Sequence, residues 1–157
     1  MKRILVLCTH NSARSQMAEG WLRKLVQQAG LEVEVLSAGT EKTLVKPPAI
    51  EVMAEIGVDL SSHWSKTIEE IADHDSLDAV MTVCDSANES CPLFPANTRR
   101  YHVSLPDPSG GDLERWRRSR DQIGRVMGAF VEHLARGEWP AAEALEVAAG
   151  CRGSRPG

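Results

Sequence analysis

The chain lacks several features that would settle its class at once. No apolar run approaches the roughly 20 residues needed to cross a bilayer. The start, Met1-Lys2-Arg3, leads directly into an apolar segment without the layout of a secretory leader, so a cytoplasmic location is expected. Excess positive charge is missing too. Lys and Arg number 18 against 22 Asp and Glu, a net charge of −4, which argues against nucleic acid or an anionic membrane as the main partner. Cysteine is sparse: four in 157 residues cannot form a disulfide scaffold. Reduced thiols are expected, and any disulfide should be transient and catalytic. Cys84 and Cys91 lack the close spacing of a zinc site and no histidine pair completes one, so no metal and no bound cofactor are expected. Internal repeats and low-complexity segments are absent. What remains, 42% hydrophobic and 25% charged residues, fits one globular domain with a sizeable core, expected as a monomer.

The most informative stretch is Cys8-Thr9-His10-Asn11-Ser12-Ala13-Arg14-Ser15. It follows the apolar run Ile4-Leu5-Val6-Leu7, which reads as a buried strand. It leads into Met17, Ala18, Trp21, Leu22, Leu25 and Val26, which have helical spacing. In a strand–loop–helix arrangement, the N–H groups of Thr9 to Arg14 and the helix N-terminus converge on one spot suited to a tetrahedral oxyanion. Arg14 can clamp that anion with two parallel donors. The same dipoles and charge would lower the thiol pKa of Cys8, and the Ser15 hydroxyl could bond the sulfur. Asn11 suits a left-handed brace in the loop, Ser12 an oxyanion donor or helix cap, and His10 a solvated loop position.

Farther along, Val33 to Ser37 reads as a strand, and Pro47-Pro48 opens a helix stopped by Gly57. Thr67-Ile-Glu-Glu70 has capping-box form. Ala79 to Cys84 is apolar throughout and reads as a central strand. Ser86-Ala-Asn-Glu89 starts a short helix that Pro92 cuts off. Arg100 to Ser104 is a weaker strand, and Pro106 to Gly111 a loop. Leu113 to Leu134 carries one long amphipathic stripe. Its run Glu114 to Arg120 reads as a solvated helix face, with a docking patch as the alternative. Ala141 to Ala149 predicts a further short helix, and residues 150–157 a loose tail containing Cys151. Alternating strands and helices imply parallel pairing. The fold class is therefore α/β, a three-layer sandwich with four parallel strands in order 2-1-3-4. The domain spans 1–136, with 137–157 as an extension. Ligands in such sheets bind at the carboxyl edge, where strands 1 and 3 diverge. Cys8 ends the first strand, Cys84 the third, and Asp107 follows the fourth. The first two thus lie on neighbouring strands about 5 Å apart.

The string from Cys8 to Gly20, with Cys-x5-Arg-Ser directly after the first strand, resembles the active-site loop of the low-molecular-weight protein tyrosine phosphatase superfamily. In its longer form it resembles the thioredoxin-coupled arsenate reductase branch. The resemblance covers roughly residues 2 to 135 and implies the same sheet order. It implies that Asp107, in Asp-Pro, is the acid that protonates a leaving oxygen, where the residues alone would also fit a plain turn. In some relatives a monovalent cation stiffens the loop through positions matching Asn11, Glu19 and Ser37 and through oxygens in the stretch His63 to Lys66. Here Trp64 and Lys66 replace those oxygens, so no cation is expected and the Lys66 ammonium can stand in.

Cys84 and Cys91, seven apart, would sit about 10 Å from each other along a helix. A disulfide needs its Cα atoms within about 7 Å, so bridging requires the short helix to unwind. Cys8, Cys84 and Cys91 match the triad of thioredoxin-coupled arsenate reductases. The resemblance implies arsenate as substrate, phosphate or sulfate as mimics, and thioredoxin as external reductant. The alternatives are a phosphatase, which needs neither Cys84 nor Cys91, and a non-catalytic oxyanion or redox sensor. Related phosphatases usually carry aromatic residues after Asp-Pro, where this chain has Ser109-Gly110-Gly111.

Overall fold

The computed structural model describes residues 2–8, 13–39, 45–63, 65–71, 76–83 and 97–150. Four parallel strands form one sheet: β1 (Lys2–Cys8), β2 (Val33–Gly39), β3 (Ala79–Thr82) and β4 (Arg99–His102), in order β2-β1-β3-β4. The helices are α1 (Arg14–Gln28), α2 (Pro47–Ala54), α3 (Leu113–Ala135) and α4 (Ala142–Ala149). The predicted order and class are thus observed. No helix among the described residues is long and apolar enough to cross a membrane.

β1 is central because its sequence allows nothing else. Ile4, Leu5, Val6 and Leu7 are fully buried, so both faces of the strand are covered. Each such side chain contributes about 1.5–3 kcal/mol by leaving water. β1 pairs with β2 on one side (Cys8 opposite Gly39) and with β3 on the other (Leu7 opposite Thr82). The chain therefore leaves β1 where the sheet divides, which leaves a crevice at the carboxyl edge.

Three boundaries differ from the sequence pattern. β3 ends at Thr82, although the Val83 N–H still bonds Leu7 O at 2.9 Å. β4 covers Arg99–His102 and not 100–104, because the pairing turns irregular there. Val103 and Leu105 continue it, donating to Thr82 O and Val83 O at 2.9 and 3.1 Å. Thr67 and Glu70 form the expected capping box, but around a 3-10 turn, Ile68–Glu70. The short helix assigned to Ser86–Pro92 lies outside the described residues.

From Gly137 to Ala149 the chain stays against the body. Leu145 is fully buried, the Tyr101 hydroxyl donates to Pro140 O at 2.9 Å, and Gln122 Nε2 donates to Ala149 O at 2.7 Å.

Helices α1 and α3 pack closely because Gly124 gives the Trp21 ring room. A Cβ at Gly124 would lie 2.6 Å from a ring carbon, and the ring is held by its Nε1–H donating to Arg120 O at 2.9 Å. Gly128, one turn on, has nothing within 4 Å of a Cβ. Helix propensity alone would make both Gly→Ala changes stabilising. Gly128→Ala is expected to stabilise by about 0.5–1 kcal/mol. Gly124→Ala is expected to destabilise by about 1–3 kcal/mol because the ring cannot retreat. Urea unfolding of the two variants checks the opposite signs.

Candidate active site

Cys8 is the last residue of β1 and is 4% exposed. Ala13 precedes α1 as its N-cap with φ −136° and ψ −83°, and no side chain caps the helix there. The helix thus begins one residue later than a Ser12 cap would place it. Thr9, His10, Asn11 and Ser12 lie outside the described residues, as do Cys84, Cys91 and Cys151. Ser15, in the first turn of α1, is fully buried.

Arg14 opens α1, and its side chain is only 14% exposed. The fold fixes its guanidinium from beyond β3, at the same carboxyl edge of the sheet. Nη1 donates to Leu105 O at 2.8 Å, across 91 positions of sequence. Leu105 is where it is because its own N–H follows the irregular pairing that continues past β4. Nη2 lies 3.7 Å from Asp107 Oδ2. Nε is buried and has no hydrogen-bond partner among the described residues. A buried N–H without a partner is costly, and native proteins rarely keep one without a use. With Nη1 anchored, the Nε–Nη2 edge is the fork that binds an oxyanion with two parallel bonds.

Asp107 sits two residues past Leu105, and its side chain is half exposed. Its Oδ1 accepts from the Ser109 N–H at 3.0 Å, an Asx turn, so the turn reading and the functional reading of Asp-Pro-Ser-Gly hold together. Its backbone O accepts from Arg115 Nη2 at 3.1 Å. Partial burial pushes the Asp107 carboxyl upward. The Ser109 hydrogen bonds and the charges of Arg14 and Lys46 outweigh it and hold the group below its ordinary range. An anion at Arg14 would add negative charge beside Asp107 and favour its protonated form. Such a group can give up a proton as an anion reacts.

A second cluster lies along α1. Glu19 is 3% exposed and its charge is met from several sides. The Ser37 hydroxyl donates to Oε1, Arg23 holds Oε2 at 2.6 Å, and Lys66 Nζ stands 3.8 Å from Oε1. His63 Nδ1 lies 4.0 Å from the same oxygen and 2.9 Å from Gln16 Oε1. Burial pushes the Lys66 ammonium below its ordinary range against the opposing pull of Glu19, and burial also lowers His63. These residues do not fit a monovalent cation. The oxygens of Glu19 and Ser37 suit one, but an ammonium already faces them. Trp64 lies outside the described residues.

Of the residues that sequence reasoning proposed, Cys8, Arg14, Ser15 and Asp107 are described, and the structure brings Arg14 and Asp107 together. Sequence reasoning missed Lys46, the Leu105 carbonyl and Arg23. Only Arg23 left a signal, as the i+4 partner of Glu19.

Comparison with known proteins agrees with this geometry. Residues 3–138 match the family described as low molecular weight phosphotyrosine protein phosphatase. A Staphylococcus saprophyticus protein named arsenate reductase 2 is 42% identical over 132 residues, 84% of this chain and 98% of the relative. An arsenate reductase of Halalkalibacterium halodurans is 44% identical over 137 residues, covering 83% and 96%. Among solved structures, an arsenate reductase in the phosphate-binding state superposes with a TM-score of 0.69 at 32% identity, covering 87% and 98%. A low molecular weight protein tyrosine phosphatase from T. tengcongensis superposes at 0.75 with 26% identity, covering 84% and 99%.

Replacing Arg14 by Lys keeps the charge but removes the planar fork. Phosphate affinity of Arg14→Lys, measured by calorimetry, is expected to fall by roughly 10- to 100-fold. Equal affinity would mean that Nε–Nη2 is not the anion-binding edge.

Proposed function

The chain belongs to the low molecular weight phosphotyrosine protein phosphatase family, and from that premise we propose that it is an arsenate reductase with Cys8 as nucleophile. The observation that carries the reading is the Arg14 guanidinium, pinned by Leu105 and flanked by Asp107 at the sheet edge where Cys8 ends β1. The arsenate reductase relatives, similar over more than four-fifths of the chain, support it.

Arsenate binds to the Nε–Nη2 edge of Arg14 and to the N–H groups of Thr9 to Arg14, with Ser15 supporting the Cys8 thiolate. Thiolate and arsenate are both anions, so the positive field of this cradle is what lets them meet. Cys8 sulfur forms a bond to arsenic while one oxygen leaves as water, carrying the proton that Asp107 supplies. The Cys84 thiolate then attacks the Cys8 sulfur. The electron pair of the S–As bond passes to arsenic, arsenite departs, and a Cys8–Cys84 disulfide remains. Cys91 attacks Cys84 and releases Cys8 as thiolate. An external dithiol, thioredoxin, reduces the resulting Cys84–Cys91 disulfide. Two thiols lose the two electrons that arsenic gains, so the step balances without a bound cofactor.

The phosphatase reading uses the same Cys8, Arg14 and Asp107. Against it as the main activity, Ser109-Gly110-Gly111 follows Asp-Pro, with Ser109 occupied in the Asx turn and Gly110 at φ +85°. No aromatic side chain stands there to hold an aryl group. Aryl-phosphate hydrolysis is therefore expected only as a slow side activity that survives loss of Cys84 or Cys91.

The test is arsenate-dependent NADPH consumption with thioredoxin and its reductase. Cys8→Ser, Cys84→Ser and Cys91→Ser should each abolish steady turnover. Full turnover in both Cys84→Ser and Cys91→Ser would refute the relay, and NADPH consumption with glutaredoxin alone would refute the thioredoxin assignment. Asp107→Asn should slow turnover by about 10²–10⁴-fold. Because the acid works only when protonated, the wild-type rate should fall as pH rises past the Asp107 pKa in the arsenate complex. That fall should be missing in Asp107→Asn.

Lys66 yields a separate expectation. Its ammonium occupies the cation's role beside Glu19, so the wild-type rate should be the same in potassium and choline chloride at equal ionic strength. Lys66→Ala should lose activity and regain it with potassium. A wild-type rate that rises several-fold with potassium would contradict this assignment.

A further inference from the structure

Next to Asp107, its neighbours Pro106 and Pro108 and one face of α3 border an open cavity of about 360 Å³, within the usual size range of small-ligand pockets. The α3 face consists of Arg115, Arg118, Ser119 and Gln122, at spacings of three and four that place them on one side of the helix. Cys8, Arg14 and Asp107 do not line it.

Among the described residues no carboxylate pairs with its arginines. Asp112 is occupied as the α3 N-cap, accepting from the Arg115 N–H at 2.9 Å. Glu114 pairs with Arg117 at 3.5 Å, and Asp121 with Arg120 at 2.9 Å. Glu55 takes both Arg117 and Arg120, at 2.8 and 2.7 Å. Each of these acids is thus engaged with another residue, and Asp107, between the two prolines, accepts from the Ser109 N–H. Arg118 has no carboxylate partner among the described residues, and Arg115 is tied only to the Asp107 backbone O. Such a concentration of positive charge stands out on a chain of net charge −4. An independent observation points the same way. Ser119 is 8% exposed, and its hydroxyl is buried without a hydrogen-bond partner among the described residues. A buried hydroxyl left so is unfavourable unless something else bonds it. The two prolines and the arginine stems supply apolar walls.

We infer that this cavity is a second anion-binding site, for a small organic oxyanion whose phosphoryl or carboxylate head rests on a short apolar stem. Arg115 and Arg118 hold the head, while the stem lies against Pro106 and Pro108; the Ser119 hydroxyl, closed to the cavity when it is empty, reaches the head by rotation of its side chain. Gln122 Nε2 remains tied to Ala149 O, which fixes that wall. Because Arg115 also holds the Asp107 carbonyl, occupancy of the cavity is linked to the loop that carries the acid. The inference does not depend on arsenate reduction, since it involves neither Cys8 nor Arg14.

Amide-resolved NMR titration of the full chain tests it, with phenylphosphonate, benzoate and inorganic phosphate as probes. Arg14→Ala removes the clamp of the first site. In that variant, phenylphosphonate or benzoate should still shift the amides of Arg118, Ser119 and Gln122 in a saturable way, and the stronger of the two identifies the preferred head. Inorganic phosphate, lacking the stem, should bind about tenfold more weakly. Arg118→Ala, at an exposed position where folding is not at risk, should weaken binding by about tenfold or more, and Ser119→Ala by about threefold. The site is overturned if neither organic probe gives saturable shifts on α3. It is also overturned if the shifts vanish with Arg14→Ala, or if Arg118→Ala leaves them unchanged.

Discussion

The guanidinium of Arg14 is the point on which this molecule turns. It is charged and largely withdrawn from water, and one of its N–H groups is buried and meets no protein acceptor among the described residues. A protein interior tolerates this only where the surroundings hold the group firmly. Here the holding comes from a backbone carbonyl. Leu105 O fixes Nη1, and the position of Leu105 is fixed by hydrogen bonds that run past the end of β4 to Val83. The sheet order β2-β1-β3-β4 is therefore not background to the site. It brings a residue at position 14 and a loop at 105–107 to one edge, and leaves Arg14 Nε without a protein partner among the described residues.

Two charges largely withdrawn from water are resolved in contrasting ways. Glu19 is surrounded by Ser37, Arg23, Lys66 and His63, so its electrostatic requirements are met internally. Arg14 is only partly met, by a neutral carbonyl and a half-exposed carboxylate at 3.7 Å. The first arrangement stiffens α1 from inside the fold. The second leaves positive potential at the sheet edge, which is what an anionic substrate and an anionic nucleophile both require.

Much of this was legible in the chain. The apolar run Ile4 to Leu7 named the central strand, and the alternation of strands and helices named the sheet. Once strand order was in hand, Asp107 moved from an ordinary turn residue to the sheet edge where Cys8 ends β1, and the structure places it at that edge, 3.7 Å from Arg14 Nη2. Other parts had no way of showing themselves. A backbone carbonyl such as Leu105 O has no side-chain signature, so the anchor of Arg14 could not be read from residue types. Lys46 acts at a distance as a charge near Asp107, and only the packing of α2's start reveals it. Glu114 to Arg120 looked like one solvated face. In space it divides, with Arg117 and Arg120 bound to Glu55 while Arg115 and Arg118 border the cavity beside Pro106 and Pro108. That division depends on which side of α3 meets α2, and composition does not carry it.

The most direct test of the account is a crystal structure of Cys8→Ser protein soaked with arsenate. The account predicts a tetrahedral anion at the carboxyl end of β1, within hydrogen-bond distance of both Arg14 Nε and Nη2, with Asp107 facing one of its oxygens and Arg14 Nη1 still on Leu105 O. An anion bound elsewhere, or one that leaves Arg14 Nε without a partner, would contradict it.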